Sequence, residues 1–212
     1  MKKAVLVAVA GALVAVLTAA YWPVEACVGK TVFLGRMPGR EQEVLTEIFT
    51  WMVSERTGTT IQVKALPDSR AMHAALQTAE VDLYLEDQAV ALREILGKPA
   101  AGNGAEQRET VRSEYEQRFN LVWLEPWGMT GRSAPAAPAA PTAAAPAGPA
   151  APGLVAPVIR KDTLKKFPAL SRLVNKLAGV VDDETLSKLV QESEKRPARE
   201  VTKQFLKEKR LI

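Results

Sequence analysis

One cysteine and one histidine stand in 212 residues, and that scarcity excludes much chemistry. Cys27 alone forms no internal disulfide, even in an oxidising compartment. With one cysteine and one histidine, a structural zinc cluster of ordinary composition is excluded. The sequence has no G-x-S-x-G, no P-loop and no C-x-x-C, so the common nucleophile, phosphate and redox motifs are absent. His73 lies beside the apolar stripe of a helix and reads as a partly exposed structural histidine. "GRMPG" is no phosphate fingerprint, because its proline removes a backbone donor. Glu86–Asp87 reads as a loop and Asp182–Asp183 as a helix N-terminus, where the macrodipole accounts for the charge. No enzyme, cofactor or metal is expected. The formal net charge is only +4, which gives nucleic acid little to bind. Its distribution is uneven: Leu154–Ile212 carries 14 basic against 8 acidic residues, Cys27–Arg132 12 against 15. Solvated helix faces account for the basic surplus.

What is present begins at the N-terminus. Lys2 and Lys3 precede the apolar run Ala4–Ala20, followed by Pro23 and "VEAC". A charged segment, an apolar segment and small residues at the cleavage positions describe an export signal over residues 1–26. The run is about as long as the shortest membrane spans, so an uncleaved anchor stays open. Export places the chain in the cell envelope, on the periplasmic side of the plasma membrane.

Beyond the signal, short apolar runs alternate with helical patterns. "TVFLG" (Thr31–Gly35), "TIQVKA", "VDLYL" (Val81–Leu85) and "LVWLEP" read as strands. Ile61, Val63 and Ala65 share one side of the second. Between them, Val44, Leu45, Ile48, Phe49, Met52 and Val53 mark a helix that Gly58 caps. Met72, Ala75, Leu76 and Ala79 mark another, started by Asp68 and Ser69. A helix runs from about Asp87 to Gly97, and a polar one over Glu106–Phe119 buries Val111, Tyr115 and Phe119. After Gly153, "VAPVI" is a further strand. Helices then start at Asp162 and Pro168, at Asp182, and at Pro197, with Gly179 as a stop. The alternation predicts an α/β sheet, mostly parallel, with helices on both faces.

Between the two patterned parts lies "SAPAAPAAPTAAAPAGPAAPG", Ser133–Gly153. Alanine buries little area and proline removes donors, so the segment reads as an extended surface tether. The helical stripes after it have one short strand of their own and need the first part's sheet. The parts 28–132 and 154–212 therefore read as one domain, discontinuous in sequence.

The strings "GRMPGREQ", "ERTG", "ALQTAEVDLYLED", "LVWLEPWGM", "APVIRKDTLKKFPAL", "LAGVVDDETLSKLV" and "FLKEKRLI", in that order, resemble the osmoprotectant-binding proteins of ABC importers. That family binds glycine betaine, choline and related quaternary ammonium compounds in a two-lobed clamshell of the type II periplasmic-binding kind. The resemblance implies that the chain is one lobe, and that residues 133–153 stand where a second lobe of about a hundred residues belongs. "VEAC" is similar to a bacterial lipoprotein signal, which puts a lipid on Cys27; plain cleavage and an uncleaved anchor are the alternatives. The implied solute contacts are Arg40, Glu41, Gln42, Asp68, Ser69, Asp87 and Gln88. Cation–π contact is what holds a quaternary ammonium. Gly39 stands where the family has an aromatic, Asp87 where it has a tyrosine and Gln88 where it has a threonine. Tyr84 reads as core. The expected partners are an ABC permease or other inner-membrane protein and a small solute bound weakly, if at all. A second copy replacing the missing lobe is another. The alternative function is an envelope docking module that takes no solute, with Trp123 and Trp127 exposed where a second lobe would pack; the core reading is open for both.

Overall fold

The computed structural model of the chain describes residues 30–100, 103–131 and 153–212. The export signal, Cys27 and nearly all of the Ala/Pro run lie outside them. The unit described is Thr31–Ile212; Met1–Lys30, of which only Lys30 is described, is a separate one. Alternation builds the first strand: Val32 and Leu34 are buried from β1 (Thr31–Arg36). β1 pairs in parallel with β2 (Thr60–Ala65) and with β3 (Leu83–Asp87). β5 (Val155–Arg160) lies antiparallel between β3 and β4 (Leu121–Trp123), giving the order β2-β1-β3-β5-β4. Four strands thus share one direction and the return strand opposes them. The sheet is mostly parallel, as expected, with one antiparallel strand where the chain returns.

Local chemistry sets the helices. α1 (Arg40–Thr57) ends at Gly58, whose φ of +67° suits a left-handed cap. Asp68 caps α2 (Ser69–Gln77) by accepting from the Ala71 N–H at 2.8 Å. α3 (Gln88–Val90) runs into a π-helical turn, Ala91–Ile95, in place of the longer helix expected there. Asn103 and Glu106 form a capping box on α4 (Gly104–Phe119). α5 (Lys161–Lys166) starts after Arg160, so Asp162 sits in its first turn instead of capping it. α6 (Leu170–Val174) begins two residues past Pro168. Asp182 caps α7 (Asp183–Ser193) as expected, and α8 (Ala198–Glu208) follows Pro197. Ala79 is exposed at φ +64°, just past α2, and Phe119 is only half-buried.

Both cores draw on both parts of the sequence. On one face of the sheet, Val32, Ile48, Phe49 and Met52 pack with Ile159, Leu177, Val201 and Leu206. On the other, Met72, Leu76, Tyr84 and Tyr115 pack with Ala156 and Val158. One carboxylate ties the strands together. Asp82 accepts from the Phe33 N–H at 2.9 Å and the Thr163 hydroxyl at 2.7 Å, and lies 3.6 Å from Arg160. The helices after the Ala/Pro run, α6, α7 and α8, pack on α1.

Candidate functional site

β2, β1 and β3 are neighbours pointing the same way, and their carboxyl ends form the edge where ligands of open α/β sheets sit. All seven implied contact residues fall on the three connections leaving that edge. Arg40, Glu41 and Gln42 open α1, Asp68 and Ser69 open α2, and Asp87 and Gln88 join β3 to α3.

Most of these side chains are already engaged. Arg40 is exposed and pairs with Glu43 at 2.8 Å. The bond at Gln42 is a backbone one, its main-chain carbonyl accepting from the Thr46 hydroxyl at 2.6 Å. Asp68 caps α2. Asp87 Oδ1 accepts from the N–H of Ala89 at 2.6 Å and of Val90 at 3.4 Å. Burial pushes the Asp87 carboxyl above its ordinary range, and those two N–H groups pull it back. Gln88 is fully buried, and both of its amide atoms lack a hydrogen-bond partner. Glu41 is the residue that reaches a cleft, a small one shared with Thr130, Asp183, Leu186 and Ser187. Thr130 binds Asp183 there through its N–H at 2.9 Å and its hydroxyl at 2.6 Å. The lining holds no aromatic ring.

Glu86 is the residue that sequence reasoning missed. It belongs to β3, 1 % exposed, not to the expected loop. Its Oε1 accepts from the Ser69 hydroxyl and the Asp87 N–H, each at 3.0 Å, while Oε2 is buried without a partner. Burial pushes its pKa up to about 8, against the pull of the Ser69 hydroxyl, so at neutral pH it is largely protonated. Tyr84 and Tyr115 lie close enough for Glu86 to add to the upward push that burial gives their phenols, yet neither hydroxyl has a partner of hydrogen-bond geometry. A polar residue closing an apolar run reads as exposed, and its partner Ser69 is 17 positions away.

His73 is also more buried than expected, at 8 % exposure, with its ring edge-on to Tyr115 and Phe119. Burial, with Arg118 adding to it, lowers its pKa to about 4. The two groups bend stability in opposite directions. A histidine with a lowered folded pKa contributes stability that is lost as pH falls from 6.5 through 4. A glutamic acid with a raised folded pKa contributes stability that is complete below 4.5 and lost as pH rises through 8. From pH 6.5 to 8 the Glu86 contribution should fall by about 2 kcal/mol, at about 1.4 kcal/mol per unit. Melts of the native chain should show this fall, and Glu86→Gln should flatten it. An unchanged slope in the variant would assign the pH dependence to another group.

Trp123 and Trp127 are 2 % and 0 % exposed, so of the two readings left open for each the core one holds, against the exposure that the docking alternative needed. Trp127 enters the core because Pro126 ends the extended run and its N–H then binds the Val155 carbonyl at 3.2 Å. Tyr84 is core as expected, at 1 % exposure.

The chain leaves and re-enters this lobe at a single point. The Gly131 N–H donates to the Gly153 carbonyl at 2.7 Å, Thr130 bridges Leu154 antiparallel, and Val155 N–H binds Met129 at 3.1 Å. Both glycines lie against Asp87. A Cβ on Gly131 would overlap the Asp87 carboxyl, and one on Gly153 would overlap that carboxyl and the backbone nitrogen of Ala89. Backbone cannot step aside as a side-chain tip can, so Gly153→Ala should cost roughly 1–3 kcal/mol. A chemical-denaturation curve matching the native one would show that the clasp is looser than this.

Comparison with known proteins agrees with the geometry. A family model described as the substrate binding domain of ABC-type glycine betaine transport systems, OpuAC, matches residues 30–146 and 145–208. No curated protein matches the chain. Among solved structures, a glycine betaine/carnitine/choline ABC transporter protein is similar at TM-score 0.71 and 10% identity, over 87% of this chain and 99% of that one. Apo YehZ from Escherichia coli is similar at 0.67 and 14%, over 88% and 100%. Lactococcal OpuAC, closed on glycine betaine, is similar at 0.55 and 11%, over 85% and 96%. At such identities the structural likeness speaks for the fold, a periplasmic-binding-protein-like lobe.

Proposed function

Because the chain belongs to the family of substrate-binding domains of ABC-type glycine betaine transport systems, we propose that it serves such an importer as a half-clamp. It is one lobe held at the envelope face of the membrane beside the permease, with weak or altered grip on solute. The observation that carries this reading is the clasp. A segment that departs at Gly131 and returns at Gly153, 2.7 Å away, is attached as an inserted lobe would be. Here the insertion is Ala/Pro-rich and without core-forming residues. The lobe that remains keeps the sheet edge but not a cage. Tyr84, Tyr115, Trp123 and Trp127 are all in the core, and Asp68, Ser69 and Asp87 are spent on caps and on Glu86.

Membership of a family of substrate-binding domains, which is not an enzyme class, supports a role as a transport component. The proposed attachment is through the N-terminal segment, by lipid on Cys27 or by the apolar run itself, as the charged start, apolar run and "VEAC" support. Tagged full-length chain purified from detergent-solubilised native membranes should bring an ABC permease subunit with it. Its intact mass should show a diacylglyceryl adduct and loss of Met1–Ala26. Recovery of the chain without any importer subunit would contradict the role, and an unmodified Cys27 would contradict the lipid.

A further inference from the structure

β2 ends the sheet, and among the described residues no strand pairs with its outer side. Edge strands are a liability that proteins cover, shorten or charge. This one is 6 residues long and carries Val63, at 43% exposure the one large hydrophobic side chain exposed among the described residues. Its single charge is folded back: Lys64 Nζ lies 3.3 Å from Glu80 and 5.5 Å from the centre of the Phe33 ring. We propose that the outer edge of β2 pairs with β2 of a second copy of this chain, antiparallel about a two-fold axis at Val63.

Backbone parity selects that register. The Leu66 N–H donates to the Arg36 carbonyl of β1 at 3.0 Å, in the parallel ladder that matches Arg36 with Ala65. Successive residues of a strand present their N–H and C=O to opposite edges, so Lys64 and Gln62 also face β1. Ile61, Val63 and Ala65 face outward. An antiparallel partner satisfies all three only when Val63 meets the partner's Val63 and Ile61 meets the partner's Ala65. That arrangement forms about six backbone hydrogen bonds, two for each facing pair of this kind. The same register sets apolar side chains against each other on one face. On the other it sets Lys64 opposite the partner's Gln62, so no like charges face each other. The strand is its own complement, and the pairing joins two five-stranded sheets into one. This inference rests on the strand alone and stands apart from the solute reading.

Non-hydrogen-bonded pairs approach to about 4.5 Å between Cα atoms, within the roughly 4.4–6.8 Å that a disulfide spans. Full-length chains carrying Gln62→Cys or Lys64→Cys, each with Cys27→Ser, are mixed in equal amounts and oxidised. The heterodisulfide should outweigh the two homodisulfides together. Adding Val63→Pro, which removes an outward N–H and no bond to β1, should abolish it while leaving the melt within a few degrees. Should that variant unfold, Val63→Lys sets like charges across the axis and should abolish it equally. Disulfides in the proportions of random collision, a dominant Gln62→Cys homodisulfide, or crosslinking that survives both Val63 substitutions would overturn the proposal.

Discussion

Residues 28–132, expressed without the remainder, should give no cooperative thermal transition. β5 is not an edge that can be trimmed. It separates β3 from β4, so its removal strips β4 of its partner and leaves β3 bare along Leu83–Asp87. Of the 25 buried residues in the larger core, 12 come from Val155 onward. Each large apolar side chain fully buried contributes about 1.5–3 kcal/mol, and a whole domain retains only about 5–15 kcal/mol. Losing that many exceeds the net stability even after generous relaxation of the rest. Asp82 would also lose Thr163 and Arg160 and keep only the Phe33 N–H. Circular dichroism should show a gradual, non-cooperative melt, and adding residues 153–212 in trans should restore a sigmoidal one. A fragment that melts cooperatively near the temperature of the full chain would mean the return segment merely decorates a lobe complete without it.

The fold was legible wherever a local signal had one physical reading. Alternating Val32 and Leu34, the stripe from Val44 to Val53, Gly58 at the end of α1 and Asp182 before α7 each say one thing, and the structure agrees. The need of the late helices for the early sheet was also legible, because three apolar stripes with one short strand have nowhere else to go. Errors came where distant contacts decide. The burial of Trp127 depends on a backbone bond to Val155, and the short, π-distorted helix after Asp87 depends on how Asp87 caps it. Asp162 lost its capping role because α5 begins two residues earlier, after Arg160.

The site was less legible than the fold. The three connections that carry the expected contacts were readable, but what their side chains do was not. Asp68, Ser69 and Asp87 could equally have faced a solute or capped their own helices. The short distances to Ala71, Glu86 and Ala89 show them engaged within the lobe. Glu86 had no sequence signal at all, since only burial by α2 and the neighbouring strands distinguishes it from an exposed carboxylate.

That engagement has a consequence for affinity. A clamshell binds because both lobes touch the solute and closure removes water. One lobe leaves a quaternary ammonium half-solvated, where a cation–π contact is worth about 0.5–1 kcal/mol. Millimolar binding already requires a net of about 4 kcal/mol after association costs are met. The cleft beside Glu41 offers carboxylates and hydroxyls without a ring. The most direct measurement is isothermal titration of the chain, freed of residues 1–26 and held as a monomer by Val63→Lys, against glycine betaine, choline, proline betaine and carnitine. No solute should bind more tightly than about 1 mM, the level that such contacts can reach. Saturable, one-to-one micromolar binding by that monomer would contradict the half-clamp and restore an ordinary solute-capturing role.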